Sequence, residues 1–306
     1  MKTLDLFCGC GGLSLGFEKA GYEIIGAYDA WPAAINTYNA NMSHQAALFD
    51  LSDTSGFLKE IKSRKIDAVI GGPPCQDFSS AGKRTEGERA NLTTSFAEIV
   101  IKISPSIFIM ENVARSKHSQ AYKKARASFV KSGYGLTEIT LDASYCNVPQ
   151  SRKRFFCLGI KGENDGFLNE GIQNNLSHRP LTVREYLGHE IELEHYYRHP
   201  RNYNRRAIFS VDEPAATIRG VNRPIPEGYK GHHNDSVKIT KALRSLTTHE
   251  RARIQTFPQN FQWLGTKTDV EQMIGNAVPV NLAFFVADCI KNYTLGKKAE
   301  KKKDAA

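Results

Sequence analysis

The 306-residue sequence contains no uninterrupted apolar run approaching the roughly 18 residues that a membrane-spanning helix needs. Its start, Met1-Lys2-Thr3-Leu4-Asp5, lacks the apolar core of a secretory signal, so a cytoplasmic location and no membrane partner are expected. The six cysteines, Cys8, Cys10, Cys75, Cys146, Cys157 and Cys289, include no C-x-x-C pair and no histidines at zinc spacing, so no metal site is expected. In a reducing compartment they should be free thiols, with Cys146, Cys157 and Cys289 acting as small buried hydrophobes. No internal repeat is present.

What is there is an ordinary soluble composition, 41% hydrophobic and 24% charged, in a chain long enough for one large domain and a smaller one. The formal net charge is +9, and the excess is uneven. Residues 178–264 hold 14 basic against 9 acidic side chains, and residues 297–306 hold five lysines against Glu300 and Asp304. The first concentration makes a polyanion such as nucleic acid a reasonable partner. The second reads as a disordered, solvated tail.

Over the first 160 residues, short apolar strands alternate with amphipathic stretches, the pattern of a parallel sheet covered by helices. Strands are expected at Thr3 to Phe7, Glu23 to Tyr28, Ala46 to Phe49, Ala68 to Ile70 and Ile107 to Met110. Helices are expected at Leu13 to Ala20, Pro32 to Asn41, Phe57 to Ser63, Leu92 to Ile103 and Ala121 to Ser132. Leu136 to Leu141 and Arg154 to Ile160 are joined by too few residues for a helical crossover, so they should form an antiparallel pair at the end of the sheet. Residues 178–264, rich in Arg, His, Tyr, Asn and Pro, break this rhythm and read as a separate irregular domain. The apolar helix Val280 to Tyr293 should pack back on the first domain, so that domain is expected to span 1–177 and 265–296.

Three clusters carry chemistry. The run Asp5-Leu6-Phe7-Cys8-Gly9-Cys10-Gly11-Gly12-Leu13 is a strand entering a glycine turn and then a helix, which lets a ligand approach backbone N–H groups closely. Asp29, after the second strand, is placed to accept ribose hydroxyls, and Asp50, after the third, to meet an adenine amino group. Ser14 stands where a dinucleotide fingerprint needs its third glycine, which disfavours a pyrophosphate cofactor and favours a nucleoside with a short charged tail such as S-adenosyl-L-methionine. In the second cluster, Gly71-Gly72-Pro73-Pro74-Cys75-Gln76 presents one thiol on a stiff loop, and Glu111-Asn112-Val113 presents a carboxyl at the next strand end. A nucleophile and a proton donor are thereby offered to one small ring. In the third, Gln150-Ser151-Arg152-Lys153-Arg154 projects Arg152 and Arg154 to one face if extended, placed to hold a phosphate or a base carbonyl.

In this order, the pieces resemble the DNA cytosine-5 methyltransferase family in its compact bacterial restriction-modification form. Phe7-x-Gly9-x-Gly11-Gly12, Pro74-Cys75-Gln76, Glu111-Asn112-Val113 and Gln150-x-Arg152-x-Arg154 are similar to four of its motifs. Arg244 to Arg251 with Gln255-x-Phe257-Pro258, and Ile274-Gly275-Asn276-Ala277-Val278-Pro279, are similar to two more. The resemblance implies an α/β fold, a mostly parallel Rossmann-like sheet with one antiparallel strand, plus a small irregular target-recognition domain at 178–264. It implies that Cys75 adds to C6 of a flipped-out cytosine, that Glu111 engages N3, that Arg154 holds O2 with Arg152 nearby, and that C5 takes the methyl group.

The resemblance further assigns Phe7, Gly9, Gly11, Gly12, Asp29, Asp50, Pro74, Leu92, Asn276 and Val278 to the cofactor pocket. Asp29 departs from the family's more usual glutamate. Ser79 and Arg89 are expected to close over the base, and Gln150, Arg206, Thr217, Arg219 and Arg223 to contact duplex DNA. A monomer is expected, with any cognate restriction endonuclease acting separately. The alternatives are a tRNA cytosine-5 methyltransferase, whose Cys-Phe-Thr signature is missing, and a catalytically silent DNA-binding regulator, against which Cys75 and Glu111 stand intact. A nicotinamide oxidoreductase fails at Ser14.

Overall fold

The computed structural model describes residues 1–62, 64–74, 91–202 and 204–304. Its main sheet contains β1 (Lys2–Leu6), β2 (Glu23–Asp29), β3 (Ala46–Leu48), β4 (Ala68–Gly71), β5 (Ile107–Val113), β6 (Tyr134–Asp142) and β8 (Lys153–Lys161). The order across the sheet is β3-β2-β1-β4-β5-β8-β6. All pairings are parallel except those of β8, which is antiparallel to both β5 and β6. The expected antiparallel pair is therefore present, but β8 inserts between β5 and β6, and β6 forms the edge.

Strand residues alternate between two helical layers, as a period of two requires. Ala68, Ile70, Ile107 and Ile109 face the layer built on α1 (Gly12–Lys19) and α10 (Val280–Asp304). Leu4, Leu6, Val69, Phe108 and Met110 face the opposite layer. That layer holds α3 (Thr54–Glu60), α4 (Asn91–Ile103) and α5 (Gln120–Lys131). The helices begin where local chemistry can satisfy their free N–H groups. Pro32 opens α2 (Pro32–Asn41), Asp53 accepts the Gly56 N–H at α3, and Ser119 accepts the Tyr122 N–H at α5. Gly16 lets α1 and α10 cross closely, since a Cβ there would lie 2.4 Å from that of Ala283.

The remaining elements are β7 (Gln150–Ser151), α6 (Asn169–Asn175), α7 (Val183–Leu187), β9 (His195–Tyr197), β10 (Ile208–Ser210), β11 (Ala215–Ala216), α8 (Thr248–Ile254) and α9 (Lys267–Asn276). β9 and β10 pair antiparallel, and β11 pairs parallel with β7. The irregular region has a small core of its own around Tyr197, Ala207, Ile208 and Tyr229. Its Val183, Leu187, Tyr196, Leu246, Ile254 and Phe257 instead share one apolar cluster with Ala27, Ile35 and Tyr38.

One sequence expectation changes. The terminal residues from Lys297 are helical as far as Asp304, because lysine, alanine and glutamate are good helix formers that continue the turns of α10. The stretch within Lys267–Lys297 that is long and apolar enough to cross a membrane by length and composition has 72% of its window buried inside the protein. Cys8, Cys10, Cys146, Cys157 and Cys289 are buried and free.

Candidate active site

β1, β2, β4 and β5 deliver their C-terminal ends to one edge of the sheet, where open α/β sheets bind their ligands. At the end of β1 the backbone is left-handed at Phe7 (φ 61°), Gly9 (φ 52°) and Gly11 (φ 94°). For a bulky residue such as Phe7 that conformation is costly, and such strain gathers at ligand sites. The loop is held by the Cys8 N–H donating to Tyr28 O at 3.0 Å and the Gly11 N–H to Cys8 O at 2.9 Å. Asp29 is fixed by two N–H groups, Gly9 to Oδ2 and Trp31 to Oδ1, each at 2.9 Å. Burial raises its pKa while these N–H groups pull it down. A Cβ on Gly12 would sit 2.3 Å from Val278 O, so only glycine lets the loop close on the segment that carries Val278. A Cβ on Gly9 would meet nothing within 4 Å, leaving this stretch of backbone open to a ligand.

Beneath the loop lies a polar chain that the sequence reading missed. Ser14, in place of the third glycine, donates to Asp5 Oδ2 at 2.6 Å, and Tyr38 donates to Ser14 at 2.8 Å. The Tyr38 hydroxyl also lies 2.6 Å from His44 Nε2, whose ring is 3.0 Å from Glu18. Asp5 is fully buried, its Oδ1 has no partner, and burial pushes its pKa up to about 8. An unfolded aspartate titrates near ~3.9, so between about pH 4 and pH 8 the folded state holds the extra proton. The stability this group contributes is full below that window and falls with rising pH by at most about 1.4 kcal/mol per unit. Asp5→Asn removes the titration. Its unfolding free energy relative to the parent should improve by roughly 2 kcal/mol between about pH 6 and pH 8 in urea melts; an identical difference at both pH values would refute the buried neutral carboxyl.

The second half of the edge is formed by β4, β5 and β8. Gly71 pairs with Met110, and Asn112 Nδ2 donates to Pro73 O at 3.1 Å, so the Gly72-Pro73-Pro74 segment is tied to the end of β5. Glu111 Oε2 lies against Gly72, where an added Cβ would be 3.1 Å away. Val113 pairs with Arg154, which puts Arg154 diagonal to Glu111 on one face of the sheet. Arg154 Nε meets Glu111 Oε1 at 3.1 Å, with the two side chains 14% and 10% exposed. Burial pushes the Glu111 carboxyl up, and the Arg154 and Arg152 guanidinium groups pull it partly back. Because arginine holds its proton, Glu111 is the member of this pair that can gain and lose one. Cys75, Ser79 and Arg89 lie outside the described residues.

Other candidates take different places. Arg152 does not reach into the cleft: it is 1% exposed and donates to Ile218 O, Gly275 O and Ala277 O at 2.9, 3.0 and 2.9 Å. Gln150 is fully buried, donating to Gln255 Oε1 and accepting the Ile218 N–H, so it is not available to DNA. The short strand β7 turns these side chains inward, where three carbonyls and an amide need partners. These two residues weld the β7–β8 segment to the segments around Ile218 and Gly275–Ala277. Asp50 is exposed and accepts the Ser52 N–H, which lowers its pKa. Asn276 is exposed and accepts from Gln272, and Leu92 is half-buried in the first turn of α4.

Of the four DNA candidates within residues 178–264, three are engaged within the protein. Arg206 pairs with Glu213 and donates to Ile208 O, Arg219 donates to His199 O, and the Thr217 hydroxyl donates to Ser151 O. Arg223 is exposed. Arg251 and Glu271, a buried ion pair joining α8 to α9, also went unassigned in the sequence, as did Gln255. Spacing alone does not separate such cross-links from ligand contacts, since both use the same residue types.

A glycine loop beside an acid, next to a desolvated carboxyl–guanidinium pair, describes a group-transfer enzyme of the doubly wound type. Residues 1–292 match the model of the C-5 cytosine-specific DNA methylase family, and the chain belongs to that family. It is similar to the Type II methyltransferase M.HindV of Haemophilus influenzae, at 55% identity over 96% of this chain and 97% of that one. M.HgiDI of Herpetosiphon aurantiacus is 53% identical over 96% of this chain and 95% of its own length. The fold is also that of the Entamoeba histolytica methyltransferase EhMeth, with a TM-score of 0.71 at 19% identity over 97% of this chain and 98% of that one. The cofactor is S-adenosyl-L-methionine, and the open Gly9 backbone and the fixed Asp29 carboxyl fit a nucleoside of that kind.

Proposed function

We propose that Cys75 and Glu111 act on one cytosine extruded from duplex DNA, as modification enzyme of a Type II restriction system. The Cys75 thiolate forms a bond to C6, and the ring's C5–C6 electron pair moves to C5 while Glu111 shares its proton with N3. S-adenosylmethionine, when bound, supplies an electrophilic methyl group. C5 bonds to that methyl as the methyl–sulfur bond breaks and its electron pair stays on the departing thioether sulfur; C5 then gives up its own proton to solvent, and the returning electron pair expels Cys75 from C6. Arg154 holds the cytosine O2 and keeps Glu111 oriented; Arg152 acts from beneath as a structural brace. Phe7, Gly9, Gly11, Gly12, Asp29, Asp50, Pro74, Leu92, Asn276 and Val278 bound the cofactor, and Ser79 and Arg89 cover the base.

The observation that supports this reading is the buried Glu111–Arg154 pair set against Gly72, three residues before Cys75. Residues 178–264 serve as the target-recognition region, set between catalytic segments 1–177 and 265–296. The enzyme works as a monomer on DNA in the cytoplasm, and any cognate endonuclease acts on its own. Bisulfite sequencing of DNA from cells expressing the protein should show 5-methylcytosine at one recurring sequence. Unmodified DNA from cells holding soluble protein would remove the assignment.

A further inference from the structure

An open cavity of about 440 Å³ on the irregular region is lined by Arg198, Arg201, Arg205, Arg206 and Arg219, with Phe209 and Thr217 among the other wall residues. Five guanidinium groups face one space, and Glu213 is the carboxylate that pairs with one of them. Three are pinned. Arg198 donates to Thr217 O at 2.7 Å, Arg219 to His199 O, and Arg206 to Glu213 and Ser236. Arg201 and Arg205 are exposed, and their side chains make no hydrogen bond or ion pair among the described residues. Burial and the neighbouring Arg219 and Arg201 push the Arg198 pKa down to about 10, a sign of crowded positive charge.

We infer that this cavity is a phosphate seat in which Arg201 and Arg205 close on a backbone phosphate of the DNA duplex. The inference rests on the function proposed above. A phosphodiester supplies the negative charge that the cluster lacks and accepts from the guanidinium fork in two places. A stacked base fits less well, because the Arg206 guanidinium already covers the Phe209 ring, 4.4 Å from its centroid. The seat is rigidly linked to the catalytic corner. The Thr217 hydroxyl donates to Ser151 O at 2.8 Å, β11 pairs with β7, and Arg152 grips Ile218 O. A phosphate held here therefore sets the position of the strand relative to Glu111 and Arg154.

The test measures duplex affinity against salt for the parent, Arg201→Ala, Arg205→Ala and the double variant, with Lys131→Ala on the far end of α5 as a bulk-charge control. Each cavity substitution should reduce the slope of log K against log salt by roughly 0.9 per lost phosphate contact, and equally on target and unrelated duplexes. KM for DNA should rise about tenfold at moderate salt. S-adenosylmethionine affinity, unchanged in each variant, reports an intact fold. A methylphosphonate scan should find one linkage that weakens the parent but not the double variant. Slopes equal to the parent's overturn the seat, as does a loss confined to the target duplex, which indicates base reading. Stabilisation by millimolar inorganic phosphate with DNA binding untouched in the variants overturns it in favour of a small-anion site. A parent that methylates DNA while the variants bind normally leaves the enzyme's function standing; a parent without methyl transfer removes the function itself.

Discussion

Cys75→Ala should abolish methyl transfer, lowering turnover by at least about four orders of magnitude, which is roughly 5.5 kcal/mol of barrier. Cytosine C5 is not nucleophilic enough to take a methyl group until C6 has gained an electron-pair donor, and no second thiol is on hand. Cys8, Cys10, Cys146, Cys157 and Cys289 are buried, and burial pushes all five thiols up, Cys10, Cys157 and Cys289 to about 12. They are kept neutral and away from solvent, where they pack as small apolar groups. Alanine leaves the cofactor loop and the basic region intact, so affinity for S-adenosylmethionine and for duplex DNA should stay within a few fold. A duplex with 5-fluorocytosine at the target separates loss of chemistry from loss of binding. The fluorine cannot leave C5 as a proton does, so the parent should remain covalently joined to DNA under denaturing conditions, while Cys75→Ala should not. Sustained turnover by the alanine variant is incompatible with the covalent step.

Glu111→Gln should cost about 10²- to 10⁴-fold in kcat, the range of a general acid. The amide keeps the shape of the carboxyl and can still accept from Arg154, so the corner should survive while the transferable proton is lost. The pH profile supplies the finer check. With the Glu111 pKa raised by burial, the protonated carboxyl persists above the ordinary range, and activity that depends on it falls as pH rises through the folded value. That limb should disappear in Glu111→Gln. It should move to higher pH in Arg154→Ala, because the guanidinium 3.1 Å away is the larger of the two charges holding the carboxyl down. Arg154→Ala should also weaken capture of the base more than binding of the cofactor. A limb that stays in place in both variants, or equal loss of base and cofactor binding, rules out the role given to this pair.

The parts of this site that were legible in the sequence are those made by consecutive residues. Strand, glycine turn and helix follow one another from Lys2 to Lys19, and the left-handed angles at Gly9 and Gly11 are local demands that glycine meets. The buried strands of β4 and β5 are apolar on both faces, so their ends, and therefore Glu111, were readable as points delivered to one edge. Arg152, Gln150, Arg206, Thr217 and Arg219 were not readable in the same way. Each carries a group suited to DNA, and each is spent on a partner between 7 and 125 residues away in sequence. Whether an arginine meets a phosphate or a backbone carbonyl depends on which loop folds over it, and that is set by the packing of the shared apolar cluster. Asp5, named in the strand that enters the glycine turn, had no readable role for the opposite reason: its neighbours in the strand are apolar, and its importance arises only from burial without a counter-charge.

Sequence alone determined the order of strands and helices and the glycine loop, and it singled out the thiol and the carboxyl on which the proposed chemistry rests, because backbone propensity and chemical type are properties of short segments. Tertiary structure decided that β8 enters the sheet between β5 and β6, so that Arg154 reaches Glu111 while Arg152, two residues earlier, braces the interior. It also decided which arginines remain uncommitted for a polyanion. The physical reason is that buried polar groups must find partners, and in this chain those partners are distant in sequence and meet only when the sheet closes.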